Sequence, residues 1–231
     1  MQKPHGRRYP VPCNRPQCES DLCHAPRVCY EVPRVRERKK LKLGILGSGH
    51  GTNFISVADA IAEGELDAEI AMVLSDVEDA EILQHAQSRN LPHRFIAPGA
   101  FRTKLDEAAE AAYIRTLQEA EVDWVLLAGF MRILKGEFLR AYKDRVLNMH
   151  PSLLPSFPGL AAWKQALEYG VKVTGCTVHI VDQGVDTGRI LGQRTVAVLE
   201  DDTPERLHKR IQQEEHVLYP QILREIAQAE V

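Results

Sequence analysis

The residues best suited to hydrogen-bond and proton-transfer chemistry are Asn148 and His150, in the string Asn148-Met149-His150-Pro151-Ser152-Leu153-Leu154-Pro155. They alternate around Met149, so on an extended backbone they project to the same side. Asn supplies amide donors, and His takes or gives a proton near neutral pH. Pro151 and Pro155 restrict the backbone that follows. A lone His at a strand end is ordinarily just hydrogen-bonded; an Asn/His pair on one side points to chemistry. A carboxylate would complete the set. The stretch Asp182-Gln183-Gly184-Val185-Asp186-Thr187-Gly188 carries two. Alone, these would be solvated turn residues. Opposite a His, a carboxylate is expected to raise the imidazole pKa and fix the ring's orientation.

Two further segments could bind ligands. Gly47-Ser48-Gly49-His50-Gly51-Thr52-Asn53 lets backbone N–H groups approach an anion, with a helix N-terminus behind them. Gly51, Thr52 and Asn53 are the candidate phosphate cradle. No Gly-Lys-Ser/Thr follows, so this is not a Walker loop, and Thr52 stands where a dinucleotide fingerprint needs its third Gly. The other reading is a glycine turn with packing value only. Gly129-Phe130-Met131-Arg132-Ile133-Leu134, after an apolar run, suits a flat aromatic ligand or an ordinary helix-entry loop.

Positioning these segments requires strands that end at them. Apolar runs at 41–46, 70–74, 93–96, 124–128, 146–149, 174–182 and 190–199 read as strands. Between them, Phe54, Val57, Ala58 and Ile61 recur at helical spacing, as do Leu105, Ala108, Ala109 and Ala112. Further helices are expected around Ile82–Ala86, at 136–142 and around Trp163. The last helix has Thr203 as N-cap and Pro204 as its first residue, with Leu207, Ile211, Leu218 and Ile222 on one face. Strand-helix alternation predicts an α/β fold: a mainly parallel twisted sheet with helices on both faces. Ligands of such folds bind at the carboxyl ends of the strands, where all four segments fall.

The 231 residues are 44% hydrophobic and 26% charged, as in ordinary globular chains. No run approaches a membrane span. Residues 1–42 hold eleven Lys+Arg against four Asp+Glu, while the remaining 189 hold eighteen against twenty-eight. An acidic body argues against nucleic-acid binding. Cys13, Cys18, Cys23 and Cys29 lie among six prolines in the first forty residues; Cys176 alone lies in the body. One buried Cys in the body fits a reducing, cytoplasmic setting. Residues 1–40 read as a disordered extension or a start assigned too far upstream. A zinc knuckle using the four cysteines and His24 fits the usual ligand spacing loosely.

The combination of Ala128-Gly129-Phe130-Met131-Arg132-Ile133-Leu134, the Asn148–Pro155 string and Gly184-Val185-Asp186-Thr187-Gly188 resembles the glycinamide ribonucleotide formyltransferase family, from about Leu41 to about Pro220. The resemblance implies a Rossmann-like formyltransferase fold over 41–231. It also implies formyl transfer from 10-formyltetrahydrofolate to the amine of glycinamide ribonucleotide, a step of purine synthesis, with no metal or covalent nucleophile required. It makes Asn148, His150 and Asp186 the catalytic trio, with Asn148 and protonated His150 stabilising a tetrahedral oxyanion and Asp186 assisting. Gly51, Thr52, Asn53, Gln212, Gln213, Glu214 and Glu215 would hold the ribonucleotide. Lys104, Met131, Arg132, Ile133, Leu134, Asn148, Asp182, Gln183, Gly184, Val185 and Asp186 would hold the folate. The expected partners are these two small molecules, without nucleic acid or membrane, for a monomer or homodimer.

Two departures stand out: relatives often place His after Pro158-Gly159-Leu160, where this chain has Ala161-Ala162-Trp163, and commonly Pro where it has Arg189. Rival readings share the folate. Methionyl-tRNA formyltransferases carry Gly where this chain has Pro151 and need a basic surface for tRNA. Formyltetrahydrofolate hydrolases differ after the His and carry an N-terminal regulatory domain, for which the leader is too short and too Pro-rich. A nucleotide-binding oxidoreductase has only the imperfect glycine loop and Asp76 in its favour. A catalytically silent module would not need the trio.

Overall fold

Leu41, Leu43 and Ile45 project to one face of the first strand, and Lys42, Gly44 and Leu46 to the other. Both faces are covered, which explains the near-continuous apolar run. The computed structural model describes residues 40–229. The readings of the leader, disordered extension or zinc knuckle, fall on residues outside that range. In chain order the elements are β1 (Leu41–Leu46), α1 (Thr52–Ala62), β2 (Ala68–Ser75), α2 (Glu81–Ser88), β3 (His93–Phe95), α3 (Glu107–Glu119), β4 (Trp124–Leu127), α4 (Gly136–Ala141), β5 (Val146–His150), α5 (Ala162–Tyr169), β6 (Val173–Ile180), β7 (Ile190–Ala197) and α6 (Pro204–Ala229).

Among the described residues the sheet order is β3-β2-β1-β4-β5-β6-β7. The strands β1 to β5 pair in parallel, and β6 and β7 run antiparallel to their neighbours. The sheet is thus mainly parallel, as expected. One core cluster joins it to α1, α2 and α6 through Phe54, Ile82 and Ile211; the other joins it to α3 and α4 through Tyr113, Leu117 and Phe138. Each fully buried Leu, Ile or Phe contributes roughly 1.5–3 kcal/mol. Gly44 is required by close approach: a Cβ there would lie 2.6 Å from the Leu117 side chain of α3.

Several ends differ from the expected ones, for local reasons. The helix expected from Leu105 begins at Glu107, because the Asp106 side chain accepts from the Ala109 N–H at 2.8 Å. The strand expected to reach 182 stops at Ile180, where the Asp182 carboxylate accepts from the Gly184 N–H at 3.0 Å and turns the chain. The strand expected to reach 199 stops at Ala197, and the Leu199 N–H goes to the Asp202 side chain at 2.8 Å. The last helix starts as expected, with Thr203 Oγ1 accepting from the Arg206 N–H at 3.3 Å. None of the helices among the described residues is long and apolar enough to cross a membrane.

Tyr142 packs in the second cluster, its ring 5.6 Å from that of Phe138. Its buried hydroxyl meets no hydrogen-bonding partner among the described residues, and burial pushes its pKa up to about 12. An unpaired buried hydroxyl is destabilising. Tyr142→Phe should therefore raise stability by about 1 kcal/mol, read as a higher urea midpoint; an unchanged or lower midpoint refutes this.

Candidate active site

The β5–β6 register places Asn148 opposite His179 and His150 opposite Thr177. Met149 turns into the core, so Asn148 and His150 share the other face, as the alternation predicts. Asp186 arrives from the β6–β7 connection in a left-handed conformation, φ 55°. Its Oδ2 lies 3.3 Å from His150 Nδ1 and accepts from the Gly159 N–H at 2.8 Å. Its Oδ1 lies 3.4 Å from Asn148 Nδ2 and 3.5 Å from His179 Nε2. The three residues singled out from the sequence therefore meet, joined by a fourth.

That fourth residue, His179, was missed. In the sequence it sits inside an apolar run and reads as a core histidine; only the antiparallel register with β5 reveals its place. Its Nδ1 lies 2.9 Å from the Ile180 carbonyl oxygen, so that nitrogen carries the hydrogen. In the neutral ring Nε2 is then an acceptor, and Asn148 Nδ2 donates to it at 3.2 Å. Both amide hydrogens of Asn148 are thereby directed at His179 and Asp186.

His150 Nε2 lies 2.9 Å from the Phe157 carbonyl oxygen, with Nδ1 toward Asp186. Only the imidazolium satisfies both partners. Burial nevertheless pushes the imidazole below its ordinary pKa, outweighing the upward pull of the Phe157 carbonyl and the Asp186 charge. As expected, the Asp186 carboxylate pulls this pKa upward, but burial decides the net direction. Burial also works to raise the Asp186 carboxyl, but the closeness of His179, the Gly159 N–H and the charge of the nearby imidazoles hold it below the usual carboxylate range. Phe157 has φ 55°, a left-handed conformation unfavourable for a bulky residue, which aims its carbonyl at His150.

These groups form one wall of a cleft of about 360 Å³. Met131, Arg132, Ile133 and Leu134 line it, with Asp182, Gly184, Val185 and Asp186. Leu160, Ala161 and Trp163 also line it, so the departure after Gly159 borders the site. The far face of Trp163 stacks on His208 with ring centres 3.7 Å apart. Gln183 is not among the lining residues. Lys104 bridges to Ile133 and holds its Nζ 4.3 Å from the centre of the Phe101 ring.

The Arg132 side chain is already engaged. Its Nε donates to buried Asp76 Oδ2 at 2.6 Å, and Nη1 donates to the Phe101 and Arg102 carbonyls at 2.8 and 2.5 Å. Ser48 Oγ donates to the other Asp76 oxygen at 2.5 Å and accepts from the Met131 N–H at 2.8 Å. Asp76 thus ties the glycine loop to the 131–134 loop, which removes its value as a sign of dinucleotide binding.

At the glycine loop, Gly51 has φ 70° and a Cβ would lie 2.7 Å from Ile82. No side chain caps α1, which leaves its first N–H groups without a side-chain acceptor, as an anion site requires. Asn53 Nδ2 donates to Glu215 Oε2 at 2.9 Å, uniting α1 with α6. Burial pushes the Glu215 carboxyl up to about 7. Its neighbours on α6 point elsewhere, since consecutive helical residues diverge by about 100°. Glu214 pairs with Arg194 on β7, Gln212 is half-buried, and Gln213 borders a separate hollow with Leu199 and Arg206.

A family model described as Formyl transferase matches residues 41–223. The phosphoribosylglycinamide formyltransferase of Bacillus subtilis is 38% identical over 185 residues, 80% of this chain and 94% of that one. The trifunctional purine biosynthetic protein adenosine-3 of Homo sapiens is 40% identical over 195 residues, 84% of this chain, which spans 19% of that longer protein. The crystal structure of glycinamide ribonucleotide transformylase 1 from Symbiobacterium toebii matches with TM-score 0.79 and 46% identity, over 82% of this chain and 89% of that one. A formyltetrahydrofolate deformylase from Pseudomonas syringae has TM-score 0.76 but 27% identity, over 83% of this chain and 62% of that one.

Proposed function

Because this chain belongs to the formyl transferase family, we propose that it carries the formyl group of 10-formyltetrahydrofolate onto the amine of glycinamide ribonucleotide. The observation that carries the reading is the meeting of Asn148, His150 and Asp186 along an apolar cleft. The relatives named for this reaction support the choice of substrates. The folate lies along 131–134 and 182–186, with Lys104 beside it. The ribonucleotide phosphate lies at the N–H groups of 51–53, with Glu215 toward the rest of that substrate.

The amine lone pair forms the new C–N bond, and the carbonyl pair moves onto oxygen. The bond to the folate nitrogen then breaks, and that nitrogen leaves with the electron pair and takes a proton. The proton comes from the attacking nitrogen. His150, whose charged form burial disfavours, accepts it as the new C–N bond forms and hands it to the folate nitrogen as the old one breaks. The resulting imidazolium is matched at one nitrogen by the Phe157 carbonyl and at the other by Asp186. Donors aimed at the developing oxyanion are typically worth about 3–4 kcal/mol each. Asn148 serves there by turning one N–H outward from its resting partners, and His150, once protonated, serves beside it. Holding both substrates in adjoining sites adds the proximity contribution.

A second reading, hydrolysis of the same folate, is favoured by the fold shared with the deformylase. In that case water replaces the amine. One assay separates the two: purified protein with 10-formyltetrahydrofolate, followed by absorbance with and without glycinamide ribonucleotide. Formyl loss that requires the ribonucleotide is expected. Formate release without it establishes hydrolysis, and no turnover in either case overturns both readings.

A further inference from the structure

Tyr219 lies one turn beyond Glu215 on α6 and is completely enclosed. Its hydroxyl is 3.2 Å from the Leu127 carbonyl oxygen and 3.2 Å from that of Leu147. A phenol has one hydrogen, so the two carbonyls share it. They belong to adjacent parallel strands at the point where those strands part. Leu127 is the last paired residue of β4, opposite Asn148. Beyond it the chain turns through Gly129, φ 71°, into the 131–134 loop, while β5 continues along β6 to His150. The helix that supplies this hydrogen also supplies Glu215, bonded to Asn53 of α1.

We propose that Tyr219 is a positioning residue whose hydroxyl sets the separation of β4 and β5 beneath the site, and so the placement of the folate loop against Asn148 and His150. The inference rests on the formyl-transfer reading. Apolar packing of the ring alone would leave the two strand ends free to adjust against each other. A shared hydrogen with fixed reach does not, and reaction rates respond steeply to sub-ångström misplacement of reacting groups.

The test is Tyr219→Phe, which keeps the ring and removes one oxygen, compared with Ile222→Val on the same helix. Ile222 is buried against the sheet and makes no polar contact with β4 or β5, so its variant reports destabilisation alone. Both variants are assayed for transfer well below their melting temperatures. Tyr219→Phe is expected to lower kcat about tenfold with both KM values within about twofold, and Ile222→Val to leave kcat unchanged. Equal kcat for Tyr219→Phe and wild type overturns the proposal, whatever the melting temperatures. So does an equal loss in Ile222→Val, or failure of Tyr219→Phe to fold. Absence of transfer by wild type defeats the formyl-transfer reading instead.

Discussion

Asp186→Asn should lower kcat for formyl transfer by about a thousandfold while leaving the melting temperature within a few degrees of wild type. The backbone explains the second half. Residue 186 sits at φ 55°, a left-handed conformation that Asn tolerates as well as Asp. The side chain explains the first half. Both carboxylate oxygens face donors: Gly159 N–H and His150 on one, Asn148 on the other. An amide offers one acceptor and one NH₂ group. If its oxygen stays with Gly159, its NH₂ opposes that of Asn148. The imidazolium formed at His150 also loses its counter-charge, inside a site where burial already disfavours it. A thousandfold loss corresponds to about 4 kcal/mol of transition-state stabilisation. Steady-state kinetics and a thermal melt on the same preparation check both halves. A loss under tenfold would show that Asp186 does not support the proton transfer.

The second large effect concerns stability. Burial raises the Glu215 carboxyl from 4.5 to about 7 despite the opposing hydrogen bond from Asn53. The folded protein therefore retains a proton that the unfolded chain releases. This contribution is fully present below pH 4.5 and is lost as pH rises toward 7. Each pH unit in that window is worth about 1.4 kcal/mol, so about 3 kcal/mol disappears across it. Glu215→Gln does not titrate, and its amide gives the unpaired Asn53 Oδ1 a donor. The stability of wild type minus that of Glu215→Gln should fall by about 3 kcal/mol between pH 4.5 and 7.5. Groups common to both proteins cancel in this difference. Urea unfolding at several pH values measures it, and a flat difference would show that Glu215 titrates normally.

Much of this site was legible because short-range geometry governs it. The period of two puts Asn148 and His150 on one side whatever surrounds them. Thr203 and Pro204 start a helix by their own chemistry. The glycine loop announces close approach before its ligand is known. What escaped depends on distant partners. His179 is a core residue in sequence and a site residue only through its pairing with β5. Arg132 looks like a free cation until buried Asp76 takes its Nε. The net direction of the His150 pKa shift is hidden for the same reason: the upward pull of Asp186 is visible in the sequence, whereas enclosure of the ring by its surroundings is not. The Phe157 contact comes from a backbone carbonyl, which side-chain identity does not reveal.

Asp76 anchors Ser48 on one oxygen and Arg132 on the other, so the loop proposed for the ribonucleotide and the loop proposed for the folate hang from a single buried carboxylate. The sites are therefore mechanically joined without sharing a ligand contact. A molecule that stiffens either loop relieves part of the ordering cost met by the second arrival. Thermodynamic linkage makes that help mutual: the factor by which the first substrate tightens the second is the factor by which the second tightens the first. Cooperative occupancy of the pair is the expected consequence, and the affinity for both together is the same whichever binds first.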